Sequence, residues 1–151
     1  DVLQARVRRR NSDLQLDDTA WPILTHDVPR MPAHLQAGAE VLDSLIGPAC
    51  TIAGRVERSV LGPGTIVEAG ALVADSVLLH DVVVRAGATL RHVIADDRTV
   101  IGANATVGEQ AAGELPTDGE LVLLGADVRI DGGVRVPAGE QVDRGGRRRA
   151  S

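Results

Sequence analysis

Phenylalanine, tyrosine and lysine are absent from these 151 residues, and tryptophan, methionine and cysteine occur once each. With 44% of the chain hydrophobic, the interior must be built from Val, Leu, Ile and Ala, which predicts a narrow core with no room for rings. A lone cysteine, Cys50, excludes an internal disulfide framework and suits a reducing, cytoplasmic compartment; its small-residue surroundings suggest packing, not nucleophilic chemistry. No apolar run approaches the roughly 20 residues a membrane helix needs, so no membrane partner is expected, and the mixed, charged N-terminus is unlike a secretory leader. The net charge of −5 argues against general nucleic-acid binding. The basic clusters "RVRRR" (Arg6 to Arg10) and "RGGRRRAS" (Arg144 to Ser151) read as solvated tails. The chain opens on Asp1, not Met, and is expected to be part of something longer.

What the sequence does contain is a ladder. Aliphatic positions can be stepped through Leu61, Val67, Val73, Leu79, Val84, Leu90, Ala95, Ile101 and Val107, every step being five or six residues. Neither the two-residue period of a strand nor the 3.6-residue period of a helix produces this spacing. A chain that makes a short strand, bends at a small residue and repeats does produce it, as in hexapeptide β-helices. Between the rungs lie "GPG" (62–64), "EAGA" (68–71), "RAGA" (85–88) and "GANA" (102–105), small residues and turn formers suited to corners. A second, longer period supports the first. Ser44, Ser59, Ser76 and His92 recur at 15, 17 and 16 residues, each followed by two aliphatics, and three rungs of five or six make one coil of a triangular prism. The expected fold is all-β: a left-handed parallel β-helix with a short N-terminal helix and linker, the handedness being that of the hexapeptide class.

Four segments follow. Residues 1–38 read as a helix remnant and Pro-punctuated linker, with Trp21 anchored over an open coil end. Residues 39–109 form the β-helix. Residues 110–143 form a terminal coil or capping strands, because the ladder fades after Glu109 and alternation resumes at Val128, Ile130, Val134 and Val136. Residues 144–151 are the basic tail.

"LDDTAWPILTHDVPRMPAHL" followed by the coils from "VLDSLIGPAC" to "VIADDRTVIGANATVGE" resembles the C-terminal region of bacterial glucose-1-phosphate adenylyltransferase, over roughly residues 14–109. That resemblance implies a preceding nucleotidyltransferase domain that makes ADP-glucose and pyrophosphate from ATP and glucose 1-phosphate for glycogen synthesis, with Mg²⁺ in that catalytic domain. No Gly-rich phosphate-cradling loop occurs here, and no acidic Mg²⁺ ligands or sugar-phosphate lysine can be named. This chain by itself is therefore expected to be inactive, with no catalytic residues, no metal and no cofactor of its own. The resemblance implies instead a regulatory and oligomerisation domain, with a homo-oligomer (a tetramer for the parent), a catalytic nucleotidyltransferase domain, and a sugar-phosphate or adenine-nucleotide effector as partners. Anionic effectors call for projecting arginines, and the candidates are Arg85, Arg91 and Arg98. The sequence departs from the family where enterobacterial relatives carry a basic residue: Asp97 stands there, with Arg98 next, and Gly125 stands near a second such position.

Two other readings use the same fold. A stand-alone hexapeptide acyltransferase needs a histidine general base, and His80 and His92 lie within the coils. Against it, the ladder shows no long excursion to embrace a neighbouring subunit, so His80 reads as a corner residue and His92 as a surface residue in the serine position. A zinc hydratase of this fold needs three histidines, and only these two lie within the coils. The remaining alternative is a non-catalytic oligomerisation module.

Overall fold

The computed structural model describes residues 30–109 and 120–149, in which every element is a short strand. Numbered along the chain, coil 1 holds β1 (His34–Leu35), β2 (Glu40–Leu42) and β3 (Leu45–Ile46), and coil 2 holds β4 (Thr51–Ile52), β5 (Arg55–Glu57) and β6 (Val60–Leu61). Coil 3 holds β7 (Ile66–Val67), β8 (Leu72–Ala74) and β9 (Val77–Leu78), and coil 4 holds β10 (Val83–Val84), β11 (Thr89–Arg91) and β12 (Val93–Ala95). Coil 5 holds β13 (Val100–Ile101), β14 (Thr106–Glu109) and β15 (Val122–Leu124); coil 6 holds β16 (Arg129–Ile130), β17 (Arg135–Pro137) and β18 (Gln141–Val142), and β19 (Arg147–Arg148) begins a seventh. Every third strand pairs in parallel, giving faces of seven, six and six strands. This is the expected left-handed parallel β-helix of the hexapeptide class, and among the described residues it contains no helix.

Each coil contributes one inward side chain per face. Ile52, Val67, Val84, Ile101 and Ile130 stack inside the first face, Val56, Val73, Leu90, Val107 and Val136 inside the second, and Leu61, Leu78, Ala95, Leu124 and Val142 inside the third, all at 2% exposure or less. The prism is too thin for rings, which accounts for the missing aromatics.

The ladder holds at every rung but one. Leu78, not Leu79, points inward: Leu78 is 0% and Leu79 37% exposed. The inward steps from Leu61 therefore run six, six, five, and the short step falls between Val73 and Leu78, where the chain turns from the second face to the third. In coils 1 to 4 that corner turns on one residue in the left-handed region, Asp43, Arg58, Asp75 or His92 (φ 44–53°), and so takes a step of five where most other corners take six.

His92 thus stacks on Asp75, and Val93 occupies the serine column. Ser76 Oγ accepts from Val93 N at 3.1 Å while donating to Ala74 O at 2.7 Å, and Ser59 Oγ does the same for Ser76 N and Glu57 O. Ser44 Oγ serves Ser59 N in turn. The repeated serines satisfy backbone donors that the tight corner removes from the sheet.

The solenoid extends beyond 39–109 on both sides. β1 lies within the segment read as linker, and Arg147–Arg148, read as a solvated tail, pair with β16. Arg148 continues the inward column above Ile130, with Nε 2.7 Å from Glu140 Oε1. An inward, ion-paired arginine closes the end of the prism and discourages a further strand from adding there. The helix, the linker and Trp21 within residues 1–29 lie outside the described residues.

Coil 5 departs from the even rung spacing expected from the sequence. Val122 pairs with Val93 in register, so residues 110–121 intervene between β14 and β15, where one residue separates β11 from β12. The chain leaves the coil at Gly108 (φ 73°), whose backbone lies so close to the preceding coil that a Cβ would sit 1.9 Å from Arg91 O. The regular rung spacing is therefore interrupted between β14 and β15.

Candidate functional site

The corner between the third and first faces gathers the most chemistry. After the inward Leu78, the chain places Leu79 and His80 outside, and one coil later Asp97 arrives above His80. One Asp97 carboxylate oxygen accepts the His80 backbone N–H at 2.9 Å and lies 3.0 Å from His80 Nδ1. That backbone donor, followed by the imidazole, holds the Asp97 carboxyl below its usual range. A neutral ring that donates Nδ1–H to the carboxylate keeps its Nε2 lone pair available toward solvent, the arrangement a general base requires.

Beside the pair, Arg98 donates from Nε and Nη2 to both oxygens of Asp127 at 2.7 and 3.0 Å, and Arg144 Nε lies 3.4 Å from the same carboxylate. An open groove runs along the outer third face next to this corner. Leu79, Ile94 and Leu123 form its floor, and Asp96, Gln141, Asp143 and Arg144 its polar margin.

The three arginines named from sequence do not meet. Arg85 sits at the first-to-second corner, bonded to Glu68 at 2.6 Å; Arg91 ends β11 beside the second-to-third corner; Arg98 lies at the third-to-first corner. What sequence reasoning missed was the partner of each charge one coil away. Arg58 with Asp75, Glu68 with Arg85 and His80 with Asp97 are each 17 residues apart, one full coil.

At the second-to-third corner His92 is buried, not at the surface, being 9% exposed. Among the described residues its Nδ1 has no hydrogen-bond partner, and its Nε2 lies 3.9 Å from Asp75. Burial lowers its pKa despite Asp75 and Glu120, with Arg91 adding to the depression, so the ring is neutral at pH 7. A histidine whose folded pKa lies below its unfolded value of about 6.5 stabilises fully above that value, and the stability is lost as pH falls through the folded pKa. The expected result is a melting temperature that drops between pH 7 and pH 5 more steeply in the native protein than in His92→Asn, a residue that tolerates the left-handed backbone. Equal slopes in thermal melts would remove His92 as the cause.

Cys50 donates its thiol to Gly62 O at 3.2 Å, and burial raises its pKa, so it packs as expected. Among the described residues no three His, Cys, Asp or Glu side chains converge to hold a metal. Nor is any helix there long and apolar enough to cross a membrane.

Residues 31–116 match the family described as GlmU-like, C-terminal hexapeptide. The chain belongs to this family. Among curated relatives, the glucose-1-phosphate adenylyltransferase of Desulfitobacterium hafniense is 32% identical over 111 residues, which is 74% of this chain and 28% of that protein. That of Acetivibrio thermocellus is 29% identical over 140 residues, 89% of this chain and 33% of the relative. The Streptomyces coelicolor enzyme of the same name reaches 45% over a shorter 56 residues. This GlmU-like hexapeptide chain therefore spans about a third or less of the length of these relatives. Among solved structures, the acetyltransferase domain of PglB from Neisseria gonorrhoeae superposes with a TM-score of 0.58 at 24% identity, covering 76% of this chain and 55% of that one. A perosamine N-acetyltransferase from Caulobacter crescentus gives 0.57 at 19%, covering 76% and 54%. At such identities these two share the fold.

Proposed function

We propose that this chain is the C-terminal regulatory and oligomerisation domain of a cytoplasmic glucose-1-phosphate adenylyltransferase. The observation that carries the reading is the 111-residue match to the Desulfitobacterium enzyme, which covers most of this chain and under a third of that one. A hexapeptide period alone would not extend so far. The missing lysine and phosphate loop agree with a piece that serves an adenylyl-transfer reaction without performing it. In this reading Arg85, Arg91 and Arg98 act from three corners against separate parts of an adjoining domain, and not as a single anion clamp.

The test is a chimera in which the matching C-terminal segment of the Streptomyces coelicolor enzyme is replaced by residues 31–149. The expected result is ADP-glucose formation that still responds to sugar phosphates or adenine nucleotides. A folded chimera without effector response would overturn the regulatory part of the reading.

A second reading, a hexapeptide acyltransferase, is favoured by one observation: the His80–Asp97 pair beside an apolar groove. Acetyl transfer from acetyl-CoA to an amino sugar by the chain, lost in His80→Ala, would establish it. Absence of transfer across amino-sugar acceptors would leave the pair as a corner bond.

A further inference from the structure

The left-handed residues of the second-to-third corner stack as Asp43, Arg58, Asp75 and His92, and the stack ends at His92. In coil 5 residues 110–121 separate β14 from β15, and both sides of that break rest on the corner of coil 4. Gly108 lies against Arg91 O, where a Cβ would come within 1.9 Å, and Val122 N donates to His92 O at 3.0 Å. The start of β15 thus hangs on the backbone of one residue whose side chain is a buried imidazole. That level of the corner is also the most weakly held. His92 N reaches Ala74 O at 3.3 Å, while the equivalent bonds from Arg58 to Leu42 and from Asp75 to Glu57 are 3.0 and 3.1 Å.

The closed corner offers no acceptor for a second ring proton. Among the described residues Nδ1 has no hydrogen-bond partner, and Nε2 lies 3.9 Å from Asp75 Oδ2, too far to donate. Asp75 is already engaged: Arg58 donates from Nε and Nη2 to its two oxygens at 2.7 Å each, and Nη1 of the same guanidinium lies 3.2 Å from Glu57. The cation Arg91 acts on the ring from its own strand, and the anion Glu120 from the residues leading into β15. An imidazolium here would be a buried charge with no hydrogen-bonded partner, a cost that local opening relieves.

We infer that His92 is an acid-released pin: protonation of its ring frees the start of β15 from coil 4 while the rest of the prism stays folded. The ring titrates lower in the closed corner than in the open one, because burial outweighs Asp75 and Glu120. It therefore holds the corner shut above the open-state value of about 6.5 and lets go as pH falls through the closed-state value. β15 also brings Leu123 and Leu124 to the groove beside His80, so its release alters that groove. The thermal-melt effect expected of His92 would follow from any buried neutral histidine; the pin makes the loss local.

Amide hydrogen exchange of the full chain, followed residue by residue by NMR and corrected for intrinsic rates, tests this. Val122 and Val93, whose amides bond to His92 O and Ser76 Oγ, are expected to lose protection by up to about 25-fold between pH 7 and pH 5. They should stay less protected than Val83 and Val100 on the first face. His92→Asn, which tolerates the left-handed backbone, should remove the pH dependence at Val122. Arg58→Asn should shrink it, because Asp75 is then free to turn and accept from the imidazolium. Equal protection at Val122 and Val83 at both pH values would mean that the prism opens only as a whole, which overturns the inference. So would a pH dependence unchanged in His92→Asn or, should that variant not fold, one unchanged in Arg58→Asn. A His92 ring resonance that titrates at or above about 6.5 in the native protein would overturn it as well.

Discussion

Leu78→Asp should unfold the solenoid, and Leu79→Asp, one residue further on, should leave it folded. Leu78 is fully buried in the third-face column between Leu61 and Ala95, where no donor or cation can reach a carboxylate. Placing an unpaired charge there costs on the order of 5 kcal/mol, comparable with the whole stability of a small domain. Leu79 points outward over the groove at 37% exposure, and its replacement should cost about 1 kcal/mol or less. Far-ultraviolet circular dichroism and a thermal melt separate the two. If the pair behaved in the opposite sense, the inward register would belong to Leu79, and the five-residue step would move back to its place in the sequence ladder.

Gly102→Val should be the next most damaging change, although Gly102 is partly exposed and makes no side-chain contact. A Cβ there would lie 2.4 Å from Gly132 N, 2.6 Å from Asp131 C and 2.7 Å from Ile130 O, all backbone atoms of the next coil. In a stack held by main-chain hydrogen bonds, Gly102 N to Ile130 O among them at 2.7 Å, the neighbouring coil cannot retreat without breaking the ladder on that face. Overpacking costs about 1–3 kcal/mol where side chains can give way; where only backbone can, about 3 kcal/mol or more is expected. A melting temperature lowered by about 10 °C or more is the corresponding readout. Gly133→Ala, with φ 70° but nothing within 4 Å of its Cβ, isolates the conformational cost and should lower it less. Near-equal losses would mean that backbone strain, not coil contact, sets the demand for glycine.

Much of this was legible in the residues because a β-helix folds by local repetition. Each inward Val or Leu answers to a rung, so spacing alone identified Val67, Val73, Val84, Leu90 and Ile101 as core. The same logic shows why two positions slipped by one. Steps of five and six were both admitted, and the residue that shortens the step is marked by its backbone, not by its type. Asp43, Arg58, Asp75 and His92 share a left-handed φ and little else. Spacing without that corner puts Leu79 in place of Leu78 and His92 in the serine column.

The candidate site was less legible for a related reason. His80 and Asp97 are far apart in the chain, and only knowledge of the coil length, 17 residues at that place, puts one above the other. Coil length itself varies. It falls to 15 where Gly54 cuts the first-to-second corner of coil 2, its absent side chain leaving room for the Ala71 and Glu68 carbonyls, and it grows where residues 110–121 separate β14 from β15.

The sequence by itself determined the prism, its aliphatic filling, the kinship of its coils and the lack of a nucleotide loop, because periodicity and composition constrain a solenoid one rung at a time. Only the tertiary structure decided which residue of each adjacent pair faces inward, which charges meet across coils, that Arg148 closes the end, and that His92 is buried. Those depend on register between coils, and register accumulates from every short or long corner along the chain.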